Sequence, residues 1–267
     1  MKGGVMSPKD TSGSTMRCVR CVAAGAMPAQ ELCCQPNERL LPRDEFAELQ
    51  ALTADLPPDP YLPNRFKRIG FAHYSSSGEL VWDTTERGHF LVGNAAYKYV
   101  QGGDAGSRHY AIFSRELRES RAMARLVGKF RELSGQIPAD SPILVQAQRT
   151  EYVDKRVPLD ITYEGVHSGG GKYAMFFTYL RRKTKGAENS LHENEAFESV
   201  FWGPEAIEEN SYVFFRDEDM YHHVTPPVFE DDSGARGIYV LHWPAEPYRT
   251  EGNVLRHEDG RRLYVAK

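Results

Sequence analysis

Apolar residues recur with helical spacing in two segments of the chain. The first segment runs from Asp44 to Asp55 and ends at the prolines of "PPDP", and the second, longer one begins at Ser114 and ends at Gly135. Serine and glycine are common at the beginnings and ends of helices. This spacing predicts two amphipathic helices. Their apolar positions are Phe46, Leu49 and Leu52 in the first, and Leu117, Met123, Leu126, Phe130 and Leu133 in the second.

Short segments rich in β-branched and aromatic residues make up much of the rest of the chain. Clusters of Gly, Pro, Asn and Asp separate these segments, as is typical of strands joined by turns. They read "RIGFAHY", "ELVWDT", "ILVQAQRTEY", "DITYEGVH", "YAMFFTYL", "ESVFWG", "SYVFFR", "YHHVTP" and "GIYVLHW". So many short strands predict a mainly β fold with flanking α-helices, a cupin-like jelly roll or double-stranded β-helix.

The first part of the chain differs in composition from the rest. Residues 1 to about 40 are rich in Gly, Ser and Pro and show little periodicity, which predicts a disordered leader. We expect residues 41–267 to form a single domain. All four cysteines lie between residues 18 and 34, which argues against a disulfide-stapled secreted fold. A zinc site built from Cys18-x-x-Cys21 and Cys33-Cys34 is the alternative, but adjacent cysteines fit the usual ligand spacing poorly.

The charge balance bears on the class of partner. The chain has 33 Lys and Arg against 37 Asp and Glu, for a net charge of −4, so no overall positive field attracts polynucleotides or acidic membranes. No apolar run approaches the length of a membrane span, and "VAAGAM" is too short for a secretory core. We therefore expect a cytoplasmic protein whose partner is a small molecule.

A run of three glycines follows a histidine in "EGVHSGGGKY". Glycines before a lysine suggest a phosphate-binding loop, but that motif needs a further glycine five positions before the Gly-Lys pair and a Ser or Thr after it. Counting back from Gly171 reaches Val166, and Tyr173 stands where the hydroxyl should be. The glycines therefore need another explanation.

Three polar residues at strand ends are candidates for chemistry. His167 ends one predicted strand, His222 lies in "MYHHVTPP", and Arg236 opens the strand that begins fourteen residues later. Strand ends of a jelly roll meet at the barrel mouth. Two imidazoles can hold a first-row metal, and an arginine suits a carboxylate. Taken singly, each residue is also compatible with an ordinary polar strand end.

Five pieces follow one another between about Ile143 and Trp243: "VHSGG", "YAMFFTYL", "KGAEN", "HHVTP" and "RGIYVLHW". With these pieces in this order, the segment resembles the iron(II)- and 2-oxoglutarate-dependent oxygenases that act on free amino acids, including the isoleucine hydroxylases. The resemblance implies that His167 and His222 bind iron and that Arg236 binds the far carboxylate of 2-oxoglutarate, with dioxygen as the oxidant. His223 is adjacent to His222, and alternation along a strand directs only one of the two towards the metal.

One position departs from the family pattern. Two residues after the first histidine, where these hydroxylases have a carboxylate ligand, this chain has Gly169. In the iron halogenases of the same superfamily that residue is Gly or Ala, and chloride occupies the vacated position. The resemblance therefore implies a halogenase in which Gly169 leaves room for chloride. The alternatives are a hydroxylase that uses another carboxylate, such as Glu164 or Glu188, and a decayed, metal-free binding barrel.

Basic residues suggest an anionic substrate. Arg65 and Arg68 lie in "NRFKRIGF" together with Lys67, Arg149 lies in "QAQRTEY", and Arg181 lies in "LRRKTK". This is more positive charge than one carboxylate requires and would suit a phosphate. The combination resembles the halogenases that chlorinate the sugar of deoxyadenosine monophosphate in nucleoside-antibiotic pathways; a free amino acid is the alternative. Several aromatic residues are candidates for stacking on a base: Tyr74, Tyr163, Tyr179, Trp202 and Tyr221.

Overall fold

The computed structural model describes residues 17–19, 32–35, 39–83, 87–91, 107–135, 137–159, 166–167, 171–218, 220–244, 250–251, 254–256 and 262–265. The strands are β1 (Arg17–Val19), β2 (Leu32–Gln35), β3 (Arg65–Tyr74), β4 (Leu80–Trp82), β5 (Arg87–Leu91), β6 (Ser107–Ala111), β7 (Ile143–Glu151), β8 (Tyr173–Arg182), β9 (Thr184–Gly186), β10 (Glu188–His192), β11 (Val200–Ala206), β12 (Tyr212–Phe215), β13 (Tyr221–Val224), β14 (Pro227–Phe229), β15 (Ala235–Trp243), β16 (Thr250–Glu251), β17 (Val254–Arg256) and β18 (Arg262–Val265). The helices are α1 (Arg43–Leu52), α2 (Arg115–Glu119) and α3 (Arg121–Ser134).

An antiparallel sheet of eight strands forms the larger layer. Its order is β1-β2-β12-β8-β15-β7-β3-β4, so its centre is built from strands that are distant in sequence. The central strands β8 and β15 are almost wholly buried, because both of their faces are covered. The short strands β1 and β2 lie within the segment predicted to be a disordered leader, and β2 pairs with β12.

A smaller sheet, β11-β10-β13, packs over one face of the larger sheet. Leu191 of β10 and Trp202 of β11 belong to the same buried apolar cluster as Met175 and Phe215 of the larger sheet. The two sheets form a mainly β jelly roll, as the spacing of the predicted strands indicated. We call the space between them the interior.

The helices cover the opposite face of the larger sheet. The ring of Phe46 in α1 lies 6.3 Å from that of Phe177, and the ring of Phe130 in α3 lies 5.9 Å from that of Phe214. The predicted second helix is interrupted at Ser120, which ends α2 and begins α3. Within the part of the chain that the structure covers, no helix is long and apolar enough to span a membrane.

Candidate metal and anion site

His167 and His222 lie opposite each other across an isolated antiparallel bridge. The backbone N–H of each donates to the carbonyl of the other, with N to O distances of 3.1 Å from His167 and 2.7 Å from His222. Directly opposed residues on adjacent strands project to the same side, and the two ring centroids are 4.2 Å apart. The fold therefore brings together two histidines that are 55 positions apart in the sequence.

The neighbours of His222 show which face of β13 it occupies. Its ring lies 5.2 Å from the ring of Phe176 and 5.6 Å from that of Phe215, both on the larger sheet, so it points into the interior. His223 lies on the opposite face, where its ring is 4.8 Å from that of Phe197. This arrangement agrees with the alternation argument, and the assignment of His222 as a metal ligand stays a proposal.

Asp217 and His242 also belong to this site, although the sequence pattern predicts neither. The carboxylate of Asp217 is fully buried, with Oδ1 3.6 Å from His222 Nδ1 and Oδ2 3.9 Å from His242 Nδ1. Burial lowers the pKa of His242 to about 4, against the opposing effect of Asp217. In sequence, Asp217 resembles the acidic residue beside it, Glu218, which is exposed. No periodic signal separates the two.

Arg236 is buried in the interior with no ion-pair partner among the described residues. Its side chain lies on β15, the residue is 4% exposed, and its Nε has no hydrogen-bond partner in the same part of the chain. Burial, together with the neighbouring charge of Arg181, lowers the pKa of Arg236 to about 9. The guanidinium of Arg236 is buried near that of Arg181, and no described carboxylate lies within salt-bridge distance of Arg236. Such an environment is expected of an anion-binding site.

The basic residues proposed to bind substrate occupy different faces of the larger sheet. The pairing register places Arg65, Arg181 and Arg236 on the interior face. Asp59 forms a salt bridge with Arg65, which offsets its charge. Arg181 has no carboxylate within salt-bridge distance of its guanidinium in the described residues; it donates to the backbone carbonyls of Thr184 and Gly186.

Arg68 and Arg149 lie on the face that packs against the helices. Arg68 donates to the carbonyl of Ile112, at 2.9 Å, and Arg149 donates to the carbonyl of Ala54, at 2.6 Å, while its guanidinium lies 4.6 Å above the ring of Phe66. The structure does not bring these two arginines to the histidine pair. Residues one position apart on a strand point to opposite faces, so Lys67, rather than Arg68, reaches the interior.

The aromatic residues suggested for stacking mostly belong to the core. Tyr74 and Trp202 are buried in the main apolar cluster, and Tyr179 packs on Tyr239 on the helix side of the sheet, with ring centroids 5.3 Å apart. Tyr221 lies on the same face of β13 as His223. Tyr163 lies outside the described residues. The four described positions offer no aromatic platform beside the histidine pair.

The position of the missing carboxylate, Gly169, lies outside the described residues, as does Glu164. The next described residue, Gly171, donates its N–H to Asp217 Oδ2 at 2.9 Å. Glu188 is on the face of β10 that also carries Ser190, opposite His223 rather than His222. No cluster of three His, Cys, Asp or Glu side chains able to hold a metal occurs in the described part of the chain.

The 2OG-Fe dioxygenase family profile matches residues 50–242, which include both histidines and Arg236. The chain belongs to this family, whose members use iron(II), 2-oxoglutarate and dioxygen. Its family is one of oxidoreductases. No curated protein sequence matches the chain.

Solved structures share the fold at low sequence identity. A bsmA homolog from Methylobium petroleophilum PM1 is 19% identical, with a TM-score of 0.62 over 79% of this chain and 83% of the other. IDO from Bacillus thuringiensis is 12% identical, with a TM-score of 0.55 over 74% and 83%. An Fe(II)/α-ketoglutarate-dependent dioxygenase, TqaL, is 14% identical, with a TM-score of 0.53 over 85% and 81%.

The residues at the site fit the cofactors of the family. Two facing imidazoles are suitable ligands for iron(II), and the buried guanidinium of Arg236 needs an anion such as the far carboxylate of 2-oxoglutarate. The apolar rings of Phe176 and Phe215 pack beside His222 on the larger sheet.

Proposed function

We propose that this protein is an iron(II)- and 2-oxoglutarate-dependent halogenase that chlorinates an unactivated aliphatic carbon of a small anionic substrate. The observation that carries the proposal is the glycine at position 169, two residues after His167, where the hydroxylases that the chain resembles have a carboxylate ligand. The facing pair of His167 and His222 supports it, because two neutral ligands leave a position for an anion. Chloride has the same charge as the missing carboxylate and needs the space that Gly169 leaves.

Each residue has a defined task in this proposal. His167 and His222 hold the metal, and Arg236 binds the far carboxylate of 2-oxoglutarate. With 2-oxoglutarate, iron supplies the activation of dioxygen. In the balanced reaction, the substrate C–H bond, chloride, 2-oxoglutarate, dioxygen and one proton give a C–Cl bond, succinate, carbon dioxide and water. The protein orients the target carbon so that chloride rather than hydroxide is transferred.

The sugar of a deoxyadenosine nucleotide is the proposed substrate, with a free amino acid as the alternative. Arg181 supports an anionic substrate, because it lies beside Arg236 with no carboxylate within salt-bridge distance in the described residues. The interior position of Lys67 supports it as well. The salt bridge of Arg65 to Asp59 reduces the contribution of Arg65, and Arg68 and Arg149 play no part because they are on the other face.

The test is an anaerobic incubation of the protein with iron(II), 2-oxoglutarate, chloride and a panel of nucleotides and amino acids, followed by admission of oxygen. We expect a product with the chlorine isotope pattern in its mass spectrum. A product heavier by one oxygen, and never chlorinated, would make the protein a hydroxylase, the activity that membership in a dioxygenase family favours. If no member of the panel gives succinate and the protein binds no iron, the result would support the metal-free barrel.

The Gly169→Asp variant tests the role of the glycine. The new carboxylate should occupy the position of chloride, so chlorination should be lost while iron binding is kept. Hydroxylated product should be scarce, because a small misplacement of substrate can reduce a rate by about 100-fold. A variant that binds iron and still chlorinates at the wild-type rate would contradict the proposal and leave the glycines as a turn.

A further inference from the structure

Asp217 lies where three parts of the candidate site meet. It is in the connection between β12 and β13, and its side chain is fully buried. Its Oδ2 accepts the N–H of Gly171, at the end of the glycine run, and its Oδ1 lies 3.6 Å from Nδ1 of His222. Its backbone N–H also donates to the carbonyl of Lys172, at 3.0 Å. The carboxylate therefore contacts both the segment that follows Gly169 and a proposed ligand.

The position of this carboxylate relative to the ring of His222 limits its role. The two ring nitrogens of an imidazole point away from each other. A carboxylate that faces Nδ1 is consequently on the far side of the ring from a metal bound to Nε2. Asp217 is therefore not a substitute for the missing third ligand of such a metal. It is suited to accept a hydrogen bond from Nδ1–H, which keeps Nε2 unprotonated for the metal.

We infer that Asp217 is the positioning residue of the metal site: it holds His222 in the Nδ1–H tautomer and fixes the end of the glycine segment against it. The inference rests on the metal site proposed above, and it does not depend on whether the enzyme chlorinates or hydroxylates. The 3.6 Å separation is slightly longer than a hydrogen bond, and the inference requires it to shorten to one when metal occupies Nε2. Such partners of metal-bound histidines commonly change metal affinity by about 10- to 100-fold.

A second consequence concerns charge. In the halogenase proposed above, two histidines supply no negative charge to the metal, whereas the usual two-histidine, one-carboxylate site supplies one. Asp217 places a negative charge behind His222 without occupying a coordination position. The arrangement raises the basicity of this ligand.

Cobalt(II) titration of metal-free protein tests the inference, because the visible absorption of bound cobalt reports both affinity and geometry without turnover. Asp217→Asn keeps the size of the side chain and an acceptor for Gly171, but it removes the charge. We expect its cobalt dissociation constant to rise by about 10- to 100-fold and its absorption spectrum to shift. An unchanged dissociation constant and spectrum would overturn the role of Asp217.

Asp59→Asn is the matched control. Asp59 is also a fully buried carboxylate, and it accepts the backbone N–H groups of Tyr61 and Leu62, but it lies beside Arg65 rather than the histidines. Its replacement should lower the midpoint of thermal unfolding as much as Asp217→Asn does, and should leave the cobalt affinity unchanged. Equal losses of cobalt affinity in both variants would mean that Asp217 affects the metal only through the stability of the fold, and would contradict its role as a positioning residue.

His222→Ala separates a failure of this inference from a failure of the proposed site. Wild-type affinity for cobalt in His222→Ala would refute the site itself, whereas loss of binding there with no effect of Asp217→Asn would refute only the positioning role. Should Asp217→Asn fail to fold, nitrogen-15 NMR of histidine-labelled, zinc-loaded wild-type protein gives the same answer. We expect a slowly exchanging Nδ1–H on His222, and an Nε2–H tautomer would contradict the inference.

Discussion

Arg236 brings a positive charge into the interior of a jelly roll, and this charge opposes folding when no anion is bound. Burial lowers its pKa to about 9 in the folded protein, well below that of an ordinary arginine. Between pH 9 and pH 12 the unfolded chain therefore binds more protons than the folded chain, so folding stability rises with pH in that window. Below pH 9 the Arg236 side chain is charged in the folded protein, so the full free-energy cost of burying that charge lowers the stability of the fold. The proposed binding of 2-oxoglutarate would offset this cost, because it places a carboxylate beside the guanidinium.

Arg236→Met should have opposite effects on stability and binding. In metal-free protein at neutral pH the variant should be more stable to urea than wild type, because methionine removes a buried, uncompensated charge. Its binding of 2-oxoglutarate should weaken by roughly 2–5 kcal/mol, while iron affinity changes little. Urea unfolding and calorimetric titration measure the two effects. An unchanged dissociation constant for 2-oxoglutarate would rule out the assigned role.

Arg181 and its neighbour Arg182 provide a matched pair on opposite faces of β8. Arg181 is half-buried beside Arg236, whereas Arg182 is exposed and donates to the carbonyl of Ser233. Arg181→Met should raise the Michaelis constant for the anionic substrate by about tenfold or more, since it removes a charge-assisted contact. Arg182→Met should leave that constant unchanged. If Arg181→Met instead weakens the binding of the cosubstrate, Arg181 belongs to the 2-oxoglutarate site.

At the scale of elements, Ser120 explains why one predicted helix becomes two. Its Oγ donates to the carbonyl of Leu117, at 2.9 Å, and accepts the N–H of Met123, at 3.2 Å, so it ends α2 and begins α3. The serine side chain takes the place of a backbone group in these two hydrogen bonds. The backbone of Ser120 is extended rather than helical, so the helix is interrupted there. The apolar face of α3 still packs on the larger sheet because the break lies before it.

Ser120→Ala should lower the free energy of unfolding by about 1 kcal/mol, because it removes the N-cap of α3. Ser114→Ala is the comparison: Ser114 caps α2 with a 3.2 Å bond to the N–H of Leu117, but α2 has 5 residues against 14 in α3. We expect a smaller loss there. Urea denaturation measures both, and a larger loss in Ser114→Ala would show that α2 is the more important helix.

The central strands of the larger sheet, β3, β7, β8, β12 and β15, were the most predictable elements, because their apolar runs are bounded by turn residues. The short strands β1 and β2 at one edge of that sheet were not predicted. β10 was missed, since "ENSLH" contains four polar residues, three of which are buried. The pair His167 and His222 was predicted from their places at strand ends and from the resemblance, and the fold brings their rings together, while their role as metal ligands stays a prediction. Alternation along β13 predicts opposite faces for His222 and His223, and their ring contacts lie on opposite faces. Asp217 was not predictable, because its burial depends on a backbone N–H from a distant loop.

At the scale of the whole molecule, the candidate site joins the two sheets. His222 belongs to the smaller sheet, Arg236 belongs to the larger one, and the apolar cluster that includes Leu191 and Phe215 lies between them. A ligand set that contacts both residues connects the two layers in the folded state only. Since the unfolded chain lacks this arrangement, bound metal and 2-oxoglutarate should stabilise the entire jelly roll.

Anaerobic thermal unfolding with iron(II) and 2-oxoglutarate tests this linkage. At about 100 times the dissociation constant, a ligand adds about 2.7 kcal/mol to the stability of the folded state. For a chain of this size that corresponds to a rise of roughly 5–10 °C in the unfolding midpoint. Wild type and His223→Ala should both show the rise, because His223 faces Phe197 outside the interior. His222→Ala should not, and a full rise in that variant, or its absence in His223→Ala, would mean that the metal is held on the other face of β13.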